Sequence, residues 1–296
     1  MKHATAKITI LALATAIPVA VLAGIQGSGF HSFAVVAPVT GSSGGTVSVG
    51  GVPYSDSGAS LEVDGQTGHD SQIKVGDVVT AFGHAGTIER LILNHSVRAT
   101  VDSVDLVRGT FSAAGQTVHV TAQTSLEGLS ALAPGTKVQV SGWPDSTGDI
   151  VASRIELLAL GSPTQVSGQL ASLDAGRHRF KVNQLTVDFG TAQVEGVLQE
   201  GADVLVDGVS FDSAGTLIAK EVQRVEPLQV TAGQSGRLEG IVTSMVSTSQ
   251  FEVNGQPVRV TSTTKQHLHG AVALNARVKV DGVFDSAGVL VADKLN

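Results

Sequence analysis

The sequence predicts an all-β chain assembled from tandem copies of one small unit, and three observations predict it. Valines alternate with polar residues at period two, as in Val138-Gln139-Val140 and Val278-Lys279-Val280, so each run carries one apolar face. Each run then meets a glycine (Gly142, Gly208 or Gly282) and a four-residue turn: Asp145-Ser146-Thr147-Gly148, Asp212-Ser213-Ala214-Gly215 or Asp285-Ser286-Ala287-Gly288. Asp at the first turn position and Gly at the fourth suit a type I turn. Upstream of each run stands a second recurring text, Phe111-Ser112-Ala113-Ala114-Gly115-Gln116, Phe180-Lys181-Val182-Asn183-Gln184-Leu185 and Phe251-Glu252-Val253-Asn254-Gly255-Gln256. Asn-Gly between apolar alternations is the strongest short-range hairpin signal.

Taken in order, the chain opens on Lys2 and Lys7 and an uncharged run from Ile8 to Ile25. Residues 1–26 therefore read as a secretory signal cut after Ala23, or as a retained anchor crossing a membrane through residues 8–25. Either reading places the remainder outside the cytoplasmic membrane: periplasmic, at the cell surface or extracellular. Residues 27–46, with Gly27-Ser28-Gly29 and Gly41-Ser42-Ser43-Gly44-Gly45, read as a flexible linker. Residues 47–97 read as a degenerate first repeat, with Leu61-Glu62-Val63-Asp64-Gly65-Gln66 as its hairpin marker and Gly83 as its corner glycine. By that register the first copy lacks the piece that Ser125 to Leu132 supplies in the second, expected as a helical turn or a capping loop. Residues 98–160, 161–228 and 229–296 read as repeats two to four.

Each full copy is expected to hold five strands: an opening strand, a hairpin pair and a closing pair. Gly142, Gly208 and Gly282 mark bulges or corners, which suits a small, partly open barrel of the OB type. A flat meander is the alternative. With 9 Phe, 1 Trp and 1 Tyr, the chain cannot furnish the two aromatic girdles of a membrane barrel.

The order of these motifs resembles the bacterial envelope repeats grouped as domain of unknown function 5666. The resemblance covers residues 98–296 well and 48–94 poorly. It implies secretion and a repeated β fold, and it brings no catalytic residues.

A net charge of −7 argues against nucleic acid as a partner, since phosphate binding needs a basic face. The absence of cysteine removes disulfides, thiolate metal sites and a cysteine nucleophile. No cofactor is expected. Among candidate sites, His267 and His269 alternate and so share a strand face, the weak beginning of a metal site. The remaining histidines are scattered and read as surface residues. Asp145, Asp212 and Asp285 read as turn residues bonding their own backbone rather than as ligands. Trp143 stands where later copies have Val209 and Val283, which favours packing, with a ligand-stacking platform as the alternative. Phe111, Phe180 and Phe251 are expected in the core.

No paired carboxylates, Ser/His/Asp order or phosphate loop stands out. The sequence therefore reads as a non-catalytic exported repeat protein, a spacer or a module that binds an unknown protein or envelope component. An OB-like binder of a saccharide, peptide or small ligand is the alternative, and a metal-dependent secreted enzyme the third reading.

Overall fold

The computed structural model describes residues 32–268 and 270–296. The signal or anchor segment expected over residues 1–26 lies outside the described residues, as does His269. Among the described residues all regular structure is β, apart from one 3₁₀ turn at Asp70–Gln72, and no helix is long and apolar enough to cross a membrane.

The first repeat comprises β1 (Ser32–Ser43), β2 (Thr46–Val49), β3 (Val52–Ser55), β4 (Ser60–Val63), β5 (Gln66–Thr67), β6 (Val78–His84) and β7 (Thr87–Leu93). The second holds β8 (Val97–Asp105), β9 (Thr110–Ala113), β10 (Gln116–His119), β11 (Ser125–Glu127), β12 (Lys137–Pro144) and β13 (Ile150–Leu157). The third runs β14 (Thr164–Asp174), β15 (Arg179–Val182), β16 (Leu185–Asp188), β17 (Gln193–Glu195), β18 (Asp203–Phe211) and β19 (Leu217–Arg224). The fourth has β20 (Ser235–Ser247), β21 (Gln250–Val253), β22 (Gln256–Gln266), β23 (Arg277–Phe284) and β24 (Leu290–Leu295).

Within the second repeat the pairing returns to its start. β8 pairs β9, β9 pairs β10, β10 runs parallel to β13, β13 pairs β12, and β12 pairs β8. β14, β15, β16, β19 and β18 make the same circuit in the third repeat. β20, β21, β22, β24 and β23 make it in the fourth. The hairpins turn where positive φ is needed, at Ala114-Gly115 and Asn254-Gly255. The register slips by one residue at Gly142 and at Gly282. There the backbone of the partner strand comes so close that a Cβ would collide with the carbonyl of Val151 or Val291.

Two expectations about the first copy are corrected. Residues 27–46 are not a linker over their second part: Ser32–Ser43 is a strand whose Ala34, Val35, Ala37 and Val39 are buried, and it pairs β2, β6 and β20. The apolar run outweighs the Gly/Ser composition, and Gly44-Gly45 only turns the chain into β2. The hairpin marker is also misplaced. β4 runs parallel to β7, just as β11 runs parallel to β13 and β17 to β19. Leu61 to Val63 thus fills the place counted as missing, and Ser125–Glu127 is a short strand rather than a helical turn. The true first hairpin is β2–β3, turning at Gly50-Gly51. Asp-Gly announces a tight turn wherever it falls, but not which turn of the unit it is.

The repeats also pack on one another. Opening strands pair across copies, β1 with β20 in parallel and β8 with β14 antiparallel. Phe111 and Phe180 belong to one continuous core that spans the second and third repeats. Phe251 anchors the core of the fourth, which Ala34 of the first repeat completes.

Candidate functional site

Where the first, third and fourth repeats meet, the chain leaves a cleft of ≈ 560 Å³. Its floor is apolar: Val36 and Phe82 from the first repeat, Leu238 from the fourth, and Leu228 from the segment joining the third to the fourth. Its walls carry amides and charges, among them Asn94, Gln223, Arg224 and Asn254. Asn254 is held rigidly, its side-chain oxygen accepting the Ile241 amide at 2.9 Å. Asn94 Oδ1 and Arg224 Nε are buried atoms without a hydrogen-bond partner among the described residues. The nearest acidic group to Arg224 is Glu226, at 3.7 Å. Both atoms are closed off from solvent, so what an occupant of the cleft can meet is the exposed quarter (25%) of the Arg224 side chain. A second recess of ≈ 600 Å³ on the first repeat shares Glu62, Gly65 and Arg90 with the cleft. The two are therefore adjacent, with the Arg90–Glu62 ion pair at 2.8 Å on their common border.

The first and second repeats are joined by buried charge. Arg154 (2% exposed) reaches Asp77 (0% exposed) at 3.3 Å and Glu156 at 2.8 Å, and it also pairs with Glu127. Burial pushes the Asp77 carboxyl above its ordinary range, against the opposing pull of the Lys74 amide and Arg154. Beside this pair, Asp64 accepts from His95 Nδ1 at 2.8 Å and from Arg98 at 2.7 Å. Burial alone raises the Asp64 carboxyl, but the hydrogen bonds from His95 and the nearby Arg98 guanidinium hold it below the usual value. His95 is buried, which corrects its reading as a surface residue.

The residues singled out in the sequence fall elsewhere. Phe111, Phe180 and Phe251 are buried. Asp145, Asp212 and Asp285 each accept backbone amides two and four residues on through Oδ1, at 2.8–3.1 Å. Those amides hold Asp212 and Asp285 below the ordinary carboxylate range. Trp143 is not a stacking platform: it is 2% exposed, with the Arg277 guanidinium of the fourth repeat 4.5 Å over its ring. Val209 and Val283 remain exposed because no neighbouring repeat covers them in the same way. His267 is exposed, and no acidic or histidine cluster forms around it among the described residues.

Asn94, Arg224 and the Arg154 network were missed because each is completed by another repeat. Within one copy's text such residues look like ordinary polar positions. Their only signal was negative: Arg154 stands where the aligned strands carry Glu221 and Lys294, so it departs from the pattern.

A family model described as "Domain of unknown function (DUF5666)" matches residues 98–156 and 239–295. Two segments of the chain thus match this family, consistent with tandem repeats of it. These two DUF5666 segments are the second and fourth strand circuits, and the third circuit repeats their strand order. No curated protein matches. Among solved structures, a chain described as "drosophila Unr CSD456" aligns at 15% identity over 68% of this chain and 96% of its own, with a TM-score of 0.18. At that score the likeness carries no argument.

Proposed function

We propose that the protein is a non-catalytic, exported binding module, in which small OB-like barrels pack into one body and hold an extended peptide segment of a partner protein. The returning strand circuits and their corner glycines support the barrel reading. The Lys2/Lys7-led apolar run supports export. The groove made by the cleft and the adjoining recess carries the binding reading, because two adjacent spaces of ≈ 560 and ≈ 600 Å³ offer more room than one small ligand fills. Amide-lined walls over an apolar floor match a peptide's alternation of backbone polar groups and side chains. The packing of the repeats on one another speaks for a rigid recognition surface rather than an extended spacer. With a formal charge of −7, a nucleic-acid partner is disfavoured.

Panning a random peptide library against the full chain tests this. Selected peptides are expected to lose at least about tenfold in affinity on Arg224→Ala, the loss of one charge-assisted hydrogen bond. They should bind Val246→Asp unchanged, since Val246 is exposed and lies outside the groove. Peptides that bind both variants alike would refute the peptide reading. Glycans from an array that depend on Arg224, where no peptide does, would replace it with the saccharide reading.

A further inference from the structure

We propose that His119, Asp145 and Asp149 form a site for a divalent transition-metal ion of the Zn²⁺ class. His119 ends β10, while Asp145 and Asp149 open and close the turn between β12 and β13. Parallel pairing sets His119 opposite Val151, which brings the imidazole beside that turn. One ligand atom from each of the three residues lies within 4.8 Å of the others, and all three side chains are half-buried. His119 Nε2 and Asp149 Oδ2 stand 3.4 Å apart. That separation is long for a hydrogen bond and fits two ligands bound at about 2.0–2.1 Å to one tetrahedral ion. Asp145 commits Oδ1 to Thr147 and to the Asp149 amide, which leaves its other oxygen for an ion. The turn is pinned from both sides: Asn183 donates to the Gly148 carbonyl at 2.8 Å, and the Ser146 amide donates to Asn275 at 2.9 Å.

The fourth repeat supplies an independent observation. Arg259 there occupies the place of His119, and its guanidinium meets Asp285, the counterpart of Asp145, at 2.8 Å. The fold thus puts a fixed cation at this spot in the fourth copy. In the second copy the arginine has become histidine, and a second carboxylate, Asp149, stands where the fourth has Val289. The spot thus holds two carboxylates and no guanidinium, an excess of negative charge that a divalent ion offsets. One imidazole with two carboxylates favours zinc and its neighbours over calcium or magnesium, which prefer all-oxygen shells. Three protein ligands leave a position for water.

Zn²⁺ titration of the full chain by calorimetry tests the site, in a His267→Gln/His269→Gln background that removes the alternating histidine pair. One equivalent is expected to bind. His119→Arg, which copies the fourth repeat's arrangement, should weaken binding at least about tenfold while leaving the thermal melt unchanged. If that variant melts early, Asp149→Val, again the fourth repeat's residue, should give the same loss. Saturable uptake that survives both substitutions, or no saturable uptake by the parent chain, would overturn the proposal.

Discussion

Replacing Arg154 with methionine is expected to destabilise the protein by about 3–5 kcal/mol, because it strands a carboxylate that solvent does not reach. Asp77 is fully buried, and Arg154 is its one cationic hydrogen-bond partner among the described residues. Glu127 and Glu156 would lose their partner as well, at smaller cost because both retain contact with water. Chemical denaturation at neutral pH reads the effect. Removing the acid too, in Asp77→Asn/Arg154→Met, is expected to recover much of the loss, since no uncompensated charge then remains. pH gives a second reading with a definite sign. The folded Asp77 carboxyl sits above its unfolded value of about 3.9 and would rise further without Arg154. A group raised in this way favours the folded state below its unfolded value, and that advantage is lost as pH rises through the folded value. The gap between variant and wild type should therefore narrow as pH falls from 7 toward 4. A single variant as stable as wild type would show that Arg154 does not neutralise Asp77.

Phe251→Ala is expected to cost about 3–5 kcal/mol, the loss of a buried aromatic together with the cavity it leaves. Phe251 is 3% exposed and packs in the core of the fourth repeat. That core takes in Ala34 of β1, and β1 pairs β20 along Phe33 to Val36. The damage should therefore not stay in the last unit. Hydrogen exchange should speed up at β1 amides as well as in β20 to β24. Protection lost only after residue 234 would mean that the fourth repeat folds independently of the first. A variant that melts like wild type would remove Phe251 from the core.

What the sequence discloses here follows from the range of each interaction. The Asp-Ser-x-Gly turns and the corner glycines satisfy local backbone demands, so their text is short and recurs in repeats two to four, while the hairpin turn varies from Ala114-Gly115 to Asn183-Gln184 and Asn254-Gly255. The three phenylalanines recur for the same reason, since each fills the inside of its own circuit. The first repeat was harder to register because Asp64-Gly65 copies the hairpin text in a different strand of the unit. β1 was hidden because Gly and Ser at its end dominate the composition while Phe33 to Ala37 do the packing. The groove and the Arg154–Asp77 pair were not legible at all. Their partners lie in different repeats, and no local rule says which copies touch. Trp143 shows the limit clearly: its aligned valines are exposed, whereas Trp143 is buried with Arg277 of the fourth repeat over its ring.

Contact between repeats that are not neighbours in sequence is the claim on which the groove depends, and thiol cross-linking tests it directly. The chain has no cysteine, so Gln123→Cys/Arg277→Cys places two unique thiols on the second and fourth repeats, where Arg277 now reaches the Gln123 side chain at 3.4 Å. A short bifunctional maleimide should join them within one folded molecule in nearly quantitative yield. Full labelling of both thiols without any intramolecular link would contradict the packed arrangement and leave the repeats as separate beads.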